Sequence, residues 1–272
     1  MKNIFRTLVM GLGLSLMLIP AFAKNGQVTC SGSTTVLPVA QATAEAFMDK
    51  HAGINISVRG GGSGVGIAAL QNKTVDIANS SRPMKAKEIT AAKSKGINPS
   101  AYAIANDGIS IVVHKNNPVK NLSIAQIKGI YTGKIKNWKE LGGASLPIVV
   151  ISRDVASGTF EVFNEKALGG AKVDPSAQLL ASNNAIVSAV ASTPGAIGYA
   201  GLGYVNESVK VVTVNNIMPS ESTVKNSSYP LSRKLYMYTN GKAAGDVAKF
   251  IGFIQSAEGQ AIVKEQGFVT LN

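Results

Sequence analysis

Residues 59–66 read RGGGSGVG, five glycines in eight residues around one serine, Ser63. The run before them, 54–59, has the composition of a β-strand, and the run after, 65–72, that of a short helix. The glycines therefore lie where a strand turns into a helix, and such a turn lets backbone N–H groups come close to an anion. A nucleotide loop is the first reading to test. A P-loop needs Lys and then Ser or Thr directly after G-x-x-x-x-G, but Gly61 to Gly66 is followed by Ile67-Ala68. No register supplies G-x-G-x-x-G. Alone, the segment reads equally well as a flexible turn.

Two further segments share its form. Ser31-Gly32-Ser33-Thr34-Thr35 separates a short strand at 28–30 from a helical pattern at 36–50, and Ser157-Gly158-Thr159 separates a strand at 147–152 from another helix. In each turn a hydroxyl can cap the helix, while the first N–H groups and the helix dipole favour negative charge. One such turn is ordinary capping. Three of them, with Arg153 just ahead of the third, point to a bound oxyanion. The guanidinium fork suits two oxygens of a tetrahedral anion, and Asp154 or a carboxylate elsewhere is expected to hold it. DIANSSRPM adds Ser80, Ser81 and Arg82 after a strand at 74–78, and ANDGIS adds Asp107.

The remaining pattern alternates in the same way. Helical spacing recurs at 85–95, after a cap at Ser123, and at 183–192, 245–256 and 259–266; β-type runs recur at 101–113, 209–214 and 235–239. Repeated strand–turn–helix units predict an α/β fold with mainly parallel strands. No low-complexity linker divides the chain, so two lobes would be joined through the strands near 103–113 and 211–235.

Lys2 and Arg6 precede an apolar run at 8–19, followed by Pro20 and Ala21-Phe22-Ala23, the layout of a secretory signal peptide cleaved after Ala23. The apolar run is shorter than the ~20 residues of a membrane-spanning helix. The mature chain is expected to be soluble and exported to the periplasm. Cys30 is the only cysteine, so no disulfide forms within the chain, and it is expected to be a buried apolar residue. Two histidines, His51 and His114, are too few for most metal centres or triads, and no metal or cofactor is expected. The chain has 27 basic and 15 acidic residues, a formal +12, of which the leader would remove two charges. That balance favours anionic partners. Scattered basic residues with few interleaved aromatics argue against nucleic acid, and Lys85, Lys87, Lys93 and Lys95 read as one solvated helix face.

SGSTTVLP, GGGSGVG, DIANSSRP, SRDVASGT, GAIGY and YPLSRKLYMYT follow one another in that order. Together they resemble the phosphate-binding proteins of bacterial ABC-type phosphate uptake systems. The resemblance implies a two-lobed periplasmic-binding-protein fold, each lobe a mainly parallel sheet flanked by helices, with two crossover strands joining them. Residues 24–106 and 226–272 would form one lobe and 107–225 the other, with dehydrated phosphate in the cleft. By position, it implies phosphate contacts from Ser33, Thr34, Ser63 and Ser81 on one side and from Arg153, Ser157, Gly158 and Thr159 on the other. It also implies a monomeric receptor without catalysis that hands inorganic phosphate to a membrane permease.

Position 81 departs from the pattern. Well-known members carry an aspartate there, whose carboxylate accepts a proton from the ligand and repels sulfate, which has none to give. Serine can donate or accept, so Asp107 is expected to take over the acceptor role. The departure leaves sulfate, molybdate or tungstate as alternative ligands. An exported phosphatase is a further alternative, but no G-x-S-x-G elbow is present and Ser157 has no evident histidine partner.

Overall fold

β1 (Gly26–Gly32) buries Val28 and Cys30 on alternate positions, and α1 (Leu37–Lys50) buries Val39, Ala40, Thr43, Ala44 and Phe47 at helical spacing. These elements begin a computed structural model that describes residues 26–272. The signal peptide and its cleavage after Ala23 lie outside the described residues. β2 (Ile54–Arg59), α2 (Ser63–Gln71), β3 (Ile77–Ser80) and α3 (Ala86–Ser94) continue the alternation. β1 pairs in parallel with β2 and with β3, the arrangement that strand–helix–strand crossovers produce.

The strand expected at 74–78 is displaced to Ile77–Ser80. Thr74 folds back on α2, its N–H and hydroxyl reaching the Ala69 carbonyl at 3.0 and 3.1 Å. Asp76 accepts from the Thr29 N–H and hydroxyl, each at 2.8 Å. Such side-chain bonds compete with the sheet ladder, and pairing starts only at Ile77.

The longest strand, β4 (Pro99–His114), changes partners along its length. From Pro99 to Gly108 it runs antiparallel to β10 (Ser232–Asn240). Beyond Ile109 it lies between β8 (Ala196–Gly201) and β9 (Val209–Val214), antiparallel to both. β5 (Asn121–Leu122) lies parallel to β9, while β6 (Val149–Arg153) lies parallel to β8 and to β7 (Gln178–Leu180). The first half thus reads β2-β1-β3-β10-β4 and the second β5-β9-β4-β8-β6-β7. Helices α4 (Ile124–Tyr131), α5 (Gly158–Phe163), α6 (Asn183–Ser192) and α7 (Glu221–Lys225) belong to the second half, and α8 (Gly245–Gln255) and α9 (Ala257–Glu265) return to the first.

Each half has its own core. Val28, Val39, Phe47, Ile77, Leu235, Met237 and Phe250 pack together in one. Ile109, Ile111, Val113, Trp138, Phe163, Tyr199 and Val212 form the other, joined by Tyr229 and Leu231 just before β10. Ile109, Ile111 and Val113 face that core while Val112 faces Ile151, Ile186 and Val190 on the opposite side, the two-residue period of a strand buried on both faces. This is a two-lobed α/β fold joined through β4 and β10. Burial also accounts for Cys30, whose thiol it pushes far above the usual pKa, with Asp76 adding to the effect, so the thiolate is suppressed. No helix among the described residues is long and apolar enough to cross a membrane.

Candidate functional site

The three hydroxyl turns meet where the halves touch. Ser33 lies in the turn before α1, and its hydroxyl accepts from the Thr35 and Val36 N–H groups at 3.1 and 3.3 Å, holding that turn; the cap position itself is taken by Val36. Ser157 caps α5, accepting from the Phe160 N–H at 3.1 Å. Ser63 does not cap its own helix. Gly62 (φ 101°) takes the cap position of α2 in a conformation that favours glycine, and the Ser63 hydroxyl instead accepts the Ser81 N–H at 3.0 Å. The Ser63 and Ser81 hydroxyls lie 3.2 Å apart. Opposite them is Gly158, where a Cβ would overlap both oxygens. Gly64 then donates its N–H across the seam to the Ala156 carbonyl at 3.0 Å.

Arg153 ends β6 and is 1% exposed. Its Nε donates to the Leu180 carbonyl at 3.0 Å, and its Nη2 to the Ala181 carbonyl at 2.9 Å and to Thr34 Oγ1 at 3.2 Å. Asp154 or another carboxylate was expected to hold this side chain, and among the described residues none does. The Asp154 carboxylate caps its own loop through the Ala156 N–H, and parallel pairing with β7 brings carbonyls to the arginine instead. Nη1 has no partner among the described residues. Burial lowers the guanidinium pKa, opposed by Tyr199 and Asp154. A buried cation with one free donor face is a receptor for negative charge.

Asp107 is fully buried at the crossing. Its Oδ1 accepts the Leu202 N–H at 2.9 Å, and its Oδ2 accepts from Arg233 Nε at 2.8 Å and Nη2 at 2.7 Å. The pair follows from strand register, since Arg233 of β10 lies opposite Asp107 of β4. Burial raises the carboxyl pKa and lowers that of the guanidinium, each opposed by the partner's charge. Arg233 also reaches the Ser81 carbonyl at 3.3 Å and Thr35 Oγ1 at 3.2 Å.

Sequence reasoning missed three residues here: Thr35, Asn183 and Arg233. Thr35 Oγ1 lies 2.9 Å from Thr159 Oγ1 across the seam. Asn183 opens α6 and donates to Thr34 Oγ1 and Thr35 Oγ1 at 3.0 and 3.1 Å, while its Oδ1 accepts the Gly201 N–H at 3.1 Å. Thr35 lay within a turn already singled out, and Arg233 was one of two adjacent charges, with Lys234, opening an otherwise apolar strand, a signal that only the β4–β10 register turns into a place. Asn183 gave no signal beyond a polar residue at a helix start.

Ion pairs span the rim. Arg82 binds Glu88 through two bonds of 2.7 Å, and Glu161 of α5 takes both Arg82 and Lys85, the latter at 2.9 Å. Lys85 stays exposed, as expected, and reaches Glu161 from the surface. Burial lowers the Arg82 pKa, but hydrogen bonds and charge from Glu88 and Glu161 carry it upward overall. His51 stacks on Phe47 at the far end of α1, and His114 accepts the Asn116 N–H at the end of β4. No group of three or more His, Cys, Asp or Glu among the described residues could hold a metal ion.

Comparison with known proteins agrees with this arrangement. The model of the PBP superfamily domain matches residues 22–258. The phosphate-binding protein PstS of Bacillus subtilis is 34% identical over 251 residues, 90% of this chain and 81% of the relative. PstS of Pseudomonas aeruginosa PAO1 is 30% identical over 280 residues, 93% and 87% of the two chains. A Clostridium perfringens protein assigned to phosphate ABC transport, crystallised with bound phosphate, superposes with a TM-score of 0.84 at 39% identity, over 91% of this chain and all of that one. An ABC-type phosphate transport receptor from Vibrio cholerae gives 0.74 at 32% identity, over 89% and 99%. The two-lobed topology, the turns that meet between the lobes and these relatives agree: the chain belongs to the PBP superfamily and, within it, to the phosphate-binding proteins of ABC-type phosphate transport.

Proposed function

We propose that this protein is an exported receptor that encloses inorganic phosphate between its lobes and delivers it to an ABC permease. The observation that carries the reading is Arg153, buried and fixed by two carbonyls and Thr34, with Nη1 left without a partner. Around it, Ser33, Thr34, Ser63 and Ser81 belong to one lobe, and Ser157, Gly158 and Thr159 to the other. Ligand contacts drawn from both lobes favour a closed state, because a ligand shifts an equilibrium only by its differential contacts. We place the lobes at 26–106 with 232–272 and at 107–231, the second including Tyr229 and Leu231 that pack in its core rather than starting the first lobe again at 226, moving about β4 and the entry to β10 as a monomer in the periplasm.

Both Asp107 oxygens already accept bonds, so we assign it the positioning of Arg233 in preference to receipt of a ligand proton. Among the described residues no free carboxylate then faces the turns, which keeps sulfate, molybdate and tungstate as a second reading. A phosphatase is disfavoured because neither histidine lies beside Ser157. Titration calorimetry of the mature chain with phosphate tests the proposal. One saturable site is expected, weakened severely in Arg153→Met; equal affinity in the variant would remove Arg153 from the site.

A further inference from the structure

The only tryptophan of the chain, Trp138, lies in the second half, away from the hydroxyl turns. With Pro118, Leu146 and Pro194 it walls a cavity of about 250 Å³ at the end of β4, where His114 and Asn117 are the polar lining. His114 is seven residues from Asp107 along β4, roughly 23 Å at about 3.3 Å per residue. The cavity is therefore separate from the anion site.

Its walls are held by their own hydrogen bonds. Trp138 Nε1 donates to the Gly195 carbonyl at 2.9 Å, and the Trp138 N–H to the Leu146 carbonyl at 2.9 Å. The indole has no polar atom left for the cavity. The Asn117 N–H donates to the His114 carbonyl at 2.9 Å. Walls fixed in this way form the cavity before any ligand arrives.

The two lining polar groups both offer donors. Asn117 Oδ1 accepts the Val119 N–H at 3.0 Å, which leaves Nδ2 without a partner among the described residues. His114 Nδ1 accepts the Asn116 N–H at 3.3 Å, so the neutral ring carries its proton on Nε2, which makes no hydrogen bond among the described residues. Asn116, exposed at the rim, can present either end of its amide. Charge points the same way. Lys210 donates to the Asn117 carbonyl, and burial together with neighbouring Lys120 lowers its pKa, so two ammonium groups lie beside the cavity. Glu140, on the turn that Trp138 opens, gives its carboxylate to the Lys136 and Asn137 N–H groups at 3.1 and 2.9 Å.

We propose that this cavity is a second ligand site, for a small carboxylate with an apolar body of about one ring. The walls take the body, and His114 Nε2 and Asn117 Nδ2 donate to the carboxylate oxygens. Sites for drug-sized ligands span about 300–1,000 Å³, so this one suits a single ring and not a peptide or a lipid tail. A cation would meet only donors and like charge, and is rejected.

Benzoate is the probe, with benzyl alcohol and benzylamine as its neutral and cationic counterparts. The single indole N–H signal of Trp138 in proton–nitrogen NMR reports on this cavity alone. Benzoate is expected to shift that signal saturably and at least about fivefold more tightly than benzyl alcohol, with no saturable shift by benzylamine. His114→Leu removes one donor and is expected to weaken benzoate about tenfold while benzyl alcohol stays within about twofold. Ala144 lines the same cavity from an exposed position, and Ala144→Phe is expected to abolish the benzoate shift with the melting temperature and phosphate binding unchanged. No saturable benzoate shift, equal affinity for benzoate and benzyl alcohol, or benzoate binding untouched by either variant overturns the inference. None of these outcomes bears on the phosphate-receptor reading, which rests on other residues.

Discussion

Asp107→Asn isolates the buried pair at the crossing. Asp107 and Arg233 have side chains 0% and 3% exposed, and their two contacts are 2.7 and 2.8 Å. An asparagine can satisfy the Leu202 N–H or meet Arg233 with its oxygen, but its amide nitrogen then opposes a donor on the other side. More important, Arg233 keeps its charge where its side chain is only 3% exposed. Breaking a buried pair from one side costs about 3–5 kcal/mol. At about 2–4 °C per kcal/mol for a chain of this size, the melting temperature should fall by roughly 6–20 °C. Urea unfolding without phosphate measures this, with Arg233→Met and the double variant completing a cycle. The double variant should be much less damaged than the sum of the singles, because the orphaned charge is gone. A loss below about 1 kcal/mol in Asp107→Asn, or additive singles, would refute the reasoning. If instead phosphate affinity collapsed while stability held, Asp107 would be the ligand's proton acceptor after all.

Gly158→Ala should abolish tight phosphate binding with the fold intact, because the new Cβ overlaps Ser63 Oγ and Ser81 Oγ only where the lobes meet; an unchanged Kd would mean that these turns do not close on each other. Arg153→Met should raise Kd by about 10–100-fold for the loss of one charge-assisted bond through Nη1, as calorimetry will report. Glu161→Gln should speed phosphate release by about five- to tenfold in stopped flow, since Glu161 is what Arg82 and Lys85 grip across the seam; an unaltered rate would make the rim pairs incidental. On acidification, burial pushes the Glu88 pKa up, but the Arg82 hydrogen bond, the Lys85 N–H and both charges outweigh it and hold it below the ordinary range. A carboxyl depressed in the folded state contributes fully above its unfolded value of about 4.3 and loses that contribution as pH falls through the folded value. Stability supplied by Glu88 should therefore persist in mild acid and drain only below that range, a point that comparing Glu88→Gln with wild type by melting against pH will check.

The fold was legible wherever a segment had enough length to show a period. The helix at 183–192 and the strands at 54–59 and 209–214 were expected at the bounds they occupy. β5, β7 and α7, with two, three and five residues, are too short to carry a period. β3 moved because Asp76 and Thr74 spend their polar groups on neighbours brought in by the fold. At the site, residue type and turn position had marked the hydroxyl turns and Arg153, and the family resemblance had named Thr34, Ser63, Ser81 and Thr159 within them; contacts such as Thr34 with Arg153 and Ser63 with Ser81 now join these segments. What holds them was hidden. Arg153 is fixed by carbonyls, which no side-chain pattern encodes, and Arg233 meets Asp107 through a register across 126 residues of sequence. The reversal of Ser63 from helix cap to partner of Ser81 required Gly62 at the cap position, and only the backbone angle reveals that.

A crystal structure of the mature chain grown with phosphate tests the assignment most directly. One tetrahedral anion is expected within about 3 Å of Arg153 Nη1 and of the Ser81 and Thr159 hydroxyls, with the Asp107–Arg233 pair intact behind them. Phosphate bound elsewhere, or an Arg153 Nη1 satisfied by protein with the anion absent, would contradict it.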